Sequence, residues 1–150
     1  MLAIGCDHAG VEFKKALEAE LDAQSIAYND YGTFDGASVD YPEIAARVAH
    51  SVASGESERG ILICGTGVGM SIAANKVDGI RASLCHDVFS ARMTRMHNDS
   101  NMLCMGARVI GIGLGTEILN AWLHTEFEGG RHQRRVDLIT QMEKERKTNV

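Results

Sequence analysis

Three consecutive apolar residues, Ile61, Leu62 and Ile63, run into Cys64 and then into a glycine at every second position, Gly65, Gly67 and Gly69. Two of the three are β-branched, the pattern of a short strand buried on both faces. Such strands belong to parallel sheets covered by helices, because a strand with one wet face alternates polar and apolar residues instead. The stretch from Met70 to Asn75, with Ile72, Ala73 and Ala74, is helix-compatible. Strand, glycine turn and helix start together bring several backbone N–H groups to one small volume, with the helix dipole behind them. A side chain at 65, 67 or 69 would keep a ligand away from that backbone. Cys64 falls at the strand's carboxyl end, where open parallel sheets bind ligands.

The turn does not match the common nucleotide fingerprints. A P-loop ends in Gly-Lys-Ser/Thr, and the first lysine after this strand is Lys76, with no glycine before it. The dinucleotide motif is G-x-G-x-x-G on a first strand, whereas this one is G-x-G-x-G in mid-chain. The plain alternative is a tight turn beside a buried structural cysteine.

The rest of the chain repeats the strand–helix alternation. Leu2 to Cys6 reads as a first strand, followed by a polar turn, Asp7-His8-Ala9-Gly10. Phe13, Leu17 and Leu21, four apart among Lys14, Lys15, Glu18 and Glu20, make a narrow apolar helix stripe. Ser25 to Asp30 is a weaker strand, and Tyr31 to Val39 is a loop. Asp40-Tyr41-Pro42 starts a helix with Ile44, Val48 and Val52 on its apolar face; the proline suits a first helical position and holds Tyr41 extended. Gly79 to Cys85 is a fourth strand, and Asp87 caps a helix running to about Met96. His97 to Asn101 is a polar cluster, and Met102 to Met105 is a fifth strand. Gly111, Gly113 and Gly115 precede a helix holding Ile118, Leu119, Trp122 and Leu123, and a charged last helix runs from Arg131 to about Arg146. Five strands alternating with helices predict an α/β fold: a three-layer, five-stranded parallel sheet with helices on both faces, and one further C-terminal helix.

At 150 residues the chain is expected to form one domain spanning 1–150. Its formal net charge of −5 offers no footprint for nucleic acid. Aromatic residues are scarce, which argues against base-stacking platforms. Asp7, Glu12, Lys14 and Lys15 interrupt the N-terminus, so a signal peptide is not expected, nor is a membrane span. Cys6, Cys64, Cys85 and Cys104 show no C-x-x-C spacing and lie in apolar runs, which fits a reduced, cytoplasmic protein without a zinc site. No histidine–carboxylate cluster with metal-ligand spacing is read, so neither metal nor cofactor is expected.

Each candidate residue carries a functional and a plain reading. Cys64 is a nucleophile, a base or a packing group; a glycine turn and a helix start next to it favour a thiolate. Asp7 and His8 are ligand contacts or a hydrogen-bonded turn. His97 suits a helix's last turn as a cation, and Asn98 a left-handed cap. Arg131 and Arg135 share a helical face, with Arg134 nearby; they are a solvated basic patch or two guanidiniums suited to a phosphate monoester. Strand ends in this architecture share one rim, which gathers Asp7-His8, Tyr41 and the Cys64 to Gly69 turn; His97-Asn98 lies in a connection expected to fold back over the same side. Arg131 and Arg135 are far from the turn in sequence and start a long terminal helix, an element that in a small domain often packs on a neighbour, so a site in a second subunit is expected to use them.

At Cys64-Gly65-Thr66-Gly67-Val68-Gly69 and Ser71-Ile72-Ala73-Ala74-Asn75-Lys76 the chain resembles the type B ribose-5-phosphate isomerases, a family that includes the galactose-6-phosphate isomerase subunits. The likeness runs nearly end to end, through Gly5-Cys6-Asp7-His8, Asp40-Tyr41-Pro42, Gly79-Ile80-Arg81-Ala82, His97-Asn98-Asp99 and Glu128-Gly129-Gly130-Arg131-His132-Gln133 to Arg135-Val136. The resemblance implies a Rossmann-like sheet, a homodimer or homotetramer with sites between subunits, and a metal-independent aldose–ketose isomerase of pentose phosphate metabolism. It implies Cys64 as the base moving a proton between C1 and C2; relatives without that cysteine use a glutamate where this chain has Met70. It implies His97 as ring opener, and Thr66 with the amides of Gly65, Gly67, Val68 and Gly69 around the reacting oxygens. Arg131 and Arg135 would bind phosphate with His8 and Arg108 nearby, and Asp7, Tyr41 and Asn98 would contact sugar hydroxyls. Two other readings stand beside ribose 5-phosphate. One is another substrate: galactose 6-phosphate, allose 6-phosphate or a four-carbon erythrulose phosphate, chosen by the 31–39 loop and the Cys85-His86 region. The other is a non-catalytic sugar-phosphate or nucleotide module, which would lack a base and a ring opener.

Overall fold

The structure is a computed structural model and describes residues 1–148. In chain order it contains β1 (Leu2–Cys6), α1 (Val11–Ala23), β2 (Tyr28–Asp30), α2 (Tyr41–Ala53), β3 (Arg59–Cys64), α3 (Val68–Ala74), β4 (Ala82–Leu84), α4 (Val88–Asn98), β5 (Met102–Gly106), α5 (Ile112–Leu123) and α6 (Arg131–Thr148). The strands form one parallel sheet in the order β2-β1-β3-β5-β4. The expected three-layer α/β architecture is therefore present.

Side chains alternate across a strand, and here that alternation builds two cores. Leu2, Ile4 and Cys6, Ile61 and Ile63, and Leu103 and Met105 face α1 and α5, meeting Phe13, Leu17, Leu21, Ile118, Leu119 and Trp122. Ala3, Leu62, Cys64, Met102 and Cys104 face the other way, onto Ile44, Val48 and Val52 of α2 and Met70 and Ala74 of α3. Ile61, Leu62 and Ile63 are fully buried because β3 sits mid-sheet under both layers. Each such side chain contributes about 1.5–3 kcal/mol by leaving water. Cys64 thus points to the layer that holds α3.

Several boundaries differ from the sequence reading. Only Tyr28–Asp30 of the expected second strand pairs, because Ser25 turns at a positive φ and Ile26 N–H bonds back to Leu21 at 2.9 Å, closing α1. The fourth strand shrinks to Ala82–Leu84; the Asn75 amide clamps both N–H and C=O of Ala82 at 2.9 Å and fixes where the strand begins. Helix α2 begins at Tyr41 itself, with Asp40 the extended residue before it. Gly113 and Gly115 lie inside α5 rather than ahead of it. Lys14, expected among the charged positions of α1, is buried and paired with Asp30.

Helix α4 shows the most consequential shift. Asp87 caps it as expected, accepting from Ser90 N–H at 2.6 Å. It then continues through His97 and Asn98, and the left-handed C-cap is Asp99 (φ 45°), not Asn98. The Arg81 and Arg95 guanidiniums both reach Asp99, which favours its side chain and backbone in that place.

Candidate active site

The strand order puts β1 and β3 side by side, with the chain leaving toward opposite edges of the sheet from each. A crevice opens at such a switch point, outside the carboxyl ends of the strands. Here it is a cleft of about 470 Å³ lined by Asp7, His8, Tyr41, Cys64, Gly65, Thr66, Val68, Gly69 and Arg108, with Ala9 and Ile72 at its edge.

Main-chain bonds hold this rim. Asp7 N–H donates to Ile63 C=O at 3.0 Å, extending the β1–β3 ladder past Cys6. Ala107 N–H donates to Cys64 C=O at 2.9 Å, and Arg108 N–H to Gly65 C=O at 3.0 Å, so the end of β5 pins the turn from the other side. The Asp7 carboxylate accepts from Ala9 N–H at 2.9 Å, which makes the turn reading of Asp7 correct alongside its place in the cleft.

Cys64 Sγ accepts the Gly67 N–H at 3.0 Å. An N–H aimed at sulfur is the partner a thiolate needs. The other cysteines sit differently: burial pushes Cys6 up to about 12, Cys85 up to about 11, and Cys104 well above the usual thiol range. Those three are inert packing groups, and only Cys64 lines the cleft.

The glycine turn works differently from the sequence expectation. Gly67 has φ 74°, and a Cβ there would come within 2.7 Å of the Met105 backbone. A Cβ on Gly69 would meet the Tyr41 ring at 2.6 Å. These two glycines let the turn pack against β5 and α2, whereas Gly65 has only the Arg108 side chain nearby, at an ordinary contact distance of 3.5 Å. The amides of Gly67 and Val68 are also engaged within the turn, to Cys64 Sγ and to Thr66 Oγ1 at 3.2 Å. Helix α3 has only 7 residues, so its dipole is a minor term beside the turn amides.

His97, Asn98, Arg131 and Arg135 are not in this cleft. Helix α4 starts beyond the carboxyl end of β4 and runs back along the sheet. Asn98 C=O therefore accepts from Arg81 Nε at 2.9 Å, next to the strands' amino ends, and Asn101 C=O accepts from Gly60 N–H at 2.9 Å. The expected fold-back onto the Cys64 side does not occur, because the helix carries its last turn to the opposite rim. The 6-residue β3 alone spans about 20 Å, at about 3.3 Å per residue.

The start of α6 joins His97 at that far rim. The His97 and His132 rings stack with centroids 4.3 Å apart and planes 14° from parallel. His132 and Val136 turn inward, which leaves Arg131 and Arg135 exposed beside them. Burial, with the His97 and Arg131 charges, pulls the His132 imidazole below its ordinary value. His97, Glu128 and His132 bring ligand atoms within 4.8 Å of one another, so the expectation of no histidine–carboxylate cluster is corrected. Glu128 and His132 are four apart, a spacing visible in the sequence; His97 joins them only through the packing of α4 on α6. Gly106, on whose Cα the Thr66 backbone rests, also escaped the sequence reading, since nothing local marks the contact.

A family model described as Ribose/Galactose Isomerase matches residues 2–139. The chain belongs to the ribose/galactose isomerase family. Among its relatives, ribose-5-phosphate isomerase B of Escherichia coli is 50% identical over 145 residues, covering 97% of each chain. Among solved structures, ribose-5-phosphate isomerase B of Clostridium thermocellum is 49% identical with a TM-score of 0.95, covering 96% of this chain and 97% of that one. Ribose-5-phosphate isomerase B of Mycoplasma genitalium, solved with bound ribulose-5-phosphate, is 40% identical with a TM-score of 0.92, covering 96% of each. The family frame supports an isomerase with a Rossmann-like α/β fold. No described helix is long and apolar enough to cross a membrane.

Proposed function

We propose that the chain, as one domain over 1–150, is an aldose–ketose isomerase interconverting ribose 5-phosphate and ribulose 5-phosphate. The observation that carries this reading is the cleft thiol: Cys64 Sγ, held by the Gly67 N–H, in a cleft that His8, Thr66 and Arg108 also line. Cys64 as thiolate takes the C2 proton of the open-chain aldose, leaving an enediolate, and returns it to C1 while the O2 hydroxyl proton passes to O1. A single base shuttling a proton on one face is worth about 10²–10⁴-fold. Thr66 and the Gly65 and Gly69 amides stabilise the oxyanion charge as it develops. Asp7, Tyr41 and Asn98 contact sugar hydroxyls. Arg131 and Arg135 hold the phosphate, with His8 and Arg108 beside it, and that binding energy positions the reacting carbons.

His97 opens the furanose by taking the anomeric hydroxyl's proton and delivering it to the ring oxygen as the bond from that oxygen to C1 breaks. Since His97, Asn98, Arg131 and Arg135 lie at the rim opposite Cys64, they serve the cleft of a second copy. A homodimer or homotetramer is therefore the working form. Val68 and Ile72, at the cleft's edge, are 45% and 57% exposed, and Leu138, Ile139 and Met142 of α6 are exposed as well. These are the apolar surfaces a second copy would cover. The substrate places the enzyme in pentose phosphate metabolism, and four free buried cysteines suit the cytoplasm.

A six-carbon substrate is the second reading, favoured by the family's description, which names galactose beside ribose. Turnover measured on four-, five- and six-carbon aldose and ketose phosphates decides between them. Ribose 5-phosphate is expected to give the highest kcat/KM; a preference for another sugar replaces the substrate, and no turnover on any removes the isomerase reading.

A further inference from the structure

His132 is buried at 4% exposure, yet its Nε2 has no hydrogen-bond partner among the described residues. Buried polar atoms are nearly always matched, so an unmatched nitrogen asks for a reason. The Glu128 Oε2 lies 3.2 Å from it, in ion-pair range but outside hydrogen-bonding geometry. The His97 ring completes the group, stacked on His132. Two imidazoles and a carboxylate, with ligand atoms within 4.8 Å of one another, are the donor set of zinc sites that keep a fourth position open.

We infer that His97, Glu128 and His132 form an exchangeable site for a divalent transition-metal ion of the Zn²⁺ type, whose occupancy inhibits the enzyme by withdrawing His97 from ring opening. The inhibition rests on the role proposed for His97 above; the site itself does not.

Bonds of about 2.0–2.2 Å to a tetrahedral ion put ligand atoms about 3.3–3.6 Å apart, so the three must close in by about an ångström. Parallel rings cannot both aim an in-plane lone pair at one ion. His97, the more exposed ring, therefore leaves the stack on binding, while buried His132 stays as the anchor. Glu128 is half-exposed, and its carboxylate already lies 3.2 Å from His132 Nε2. Arg131 and Arg135 stand near His132 and oppose a cation, and the Glu128 carboxylate offsets them. That balance sets a weak, reversible site rather than a structural one. A His97 nitrogen bound to the ion has no lone pair left for the sugar's proton.

The test titrates Zn²⁺ calorimetrically into the full-length protein, in buffer free of phosphate and thiol, with Co²⁺ as the optical probe. One ion per chain is expected for the wild type and for Cys64→Ala. Binding should be largely lost in Glu128→Gln and in His132→Asn, each checked for native circular dichroism. In assays, Zn²⁺ should slow turnover of a cyclic substrate and spare an aldose phosphate too short to close a ring. Glu128→Gln should keep its metal-free rate and lose the inhibition. Binding is read without substrate, so its failure is separable from failure of the isomerase reading. Unchanged binding in Glu128→Gln, loss of binding in Cys64→Ala, or no saturable uptake at micromolar Zn²⁺ overturns the site. Equal inhibition of cyclic and acyclic substrates overturns the withdrawal of His97.

Discussion

The two rims of this sheet are built in different ways. The Cys64 rim is made of strand ends and tight turns, tied by main-chain bonds from Asp7 to Ile63, Ala107 to Cys64 and Arg108 to Gly65. Its functional groups are locked by the same ladder that makes the sheet, so one chain already forms a shaped cleft. The opposite rim is made of helix ends: the last turn of α4 and the first turns of α6, joined by the His97–His132 stack. Arg131 and Arg135 stand exposed there. A rigid half holding the proposed base and an open half holding the proposed phosphate ligands lie at opposite ends of one chain. With the roles proposed above, neither half would perform the chemistry alone, and that separation is what supports the proposal of a site shared between copies.

The largest expected effect breaks the rigid half. Cys64→Ala should fold normally and lose about 10²-fold or more in kcat/KM, the cost of removing a general base. Solvent exchange of the substrate's C2 proton, followed by deuterium incorporation, should vanish with it. A variant keeping more than about a tenth of the rate would put the base elsewhere.

On the open half, Arg135→Ala should weaken substrate binding by roughly one to two orders of magnitude, since a charge-assisted hydrogen bond is worth about 1.5–3 kcal/mol. The sharper experiment mixes Cys64→Ala chains with Arg131→Ala/Arg135→Ala chains after subunit exchange. In a mixed dimer one site carries both defects and the other carries none, so activity should return. Proven exchange with no recovery would mean that thiol and arginines serve the same chain's site. His97→Asn should slow a cyclic substrate well beyond an acyclic one; equal losses would remove the ring-opening role.

Gly69→Ala probes how tightly the rigid half is packed. Its Cβ would press on the Tyr41 ring, and overpacking of this kind costs about 1–3 kcal/mol. Denaturant midpoints should fall for Gly69→Ala and recover in Gly69→Ala/Tyr41→Ala. Unchanged stability in the single variant would mean that the ring swings aside freely.

The smallest effect concerns the cysteines outside the cleft. Thiols in the unfolded chain ionise near their ordinary value of 9.0, whereas burial holds Cys85 to about 11 and Cys6 to about 12. Above pH about 9 the unfolded chain binds fewer protons than the folded one, so stability falls as pH rises toward those values. The contribution is complete below pH about 9 and lost through the folded range. Urea midpoints at about pH 8 and about pH 10 should differ less in Cys85→Ala than in the wild type.

Much of this was legible in residue order alone. The apolar run of β3, the four-residue spacing of α1 and the Asp87 cap depend on neighbours within a turn or a strand, and local periodicity reports them. Cys64 was visible because the glycines that shape its turn follow it directly. The alternation of strands and helices fixed the layers, and with them the shared rim of Asp7, His8 and Cys64. Other features depended on contacts between distant segments. The reason for glycine at 69 is the Tyr41 ring, and the end of α4 at Asp99 reflects Arg81 as much as its own sequence. The unmatched nitrogen of His132 exists only because α6 packs on α4. The placement of His97 opposite Cys64 is the clearest case: its residue type suggested a role, but only the direction and length of α4 decided which rim it occupies. Short-range order follows from backbone geometry and apolar spacing. Which chemistry meets which is set by where whole elements end, and that is a property of the packed sheet.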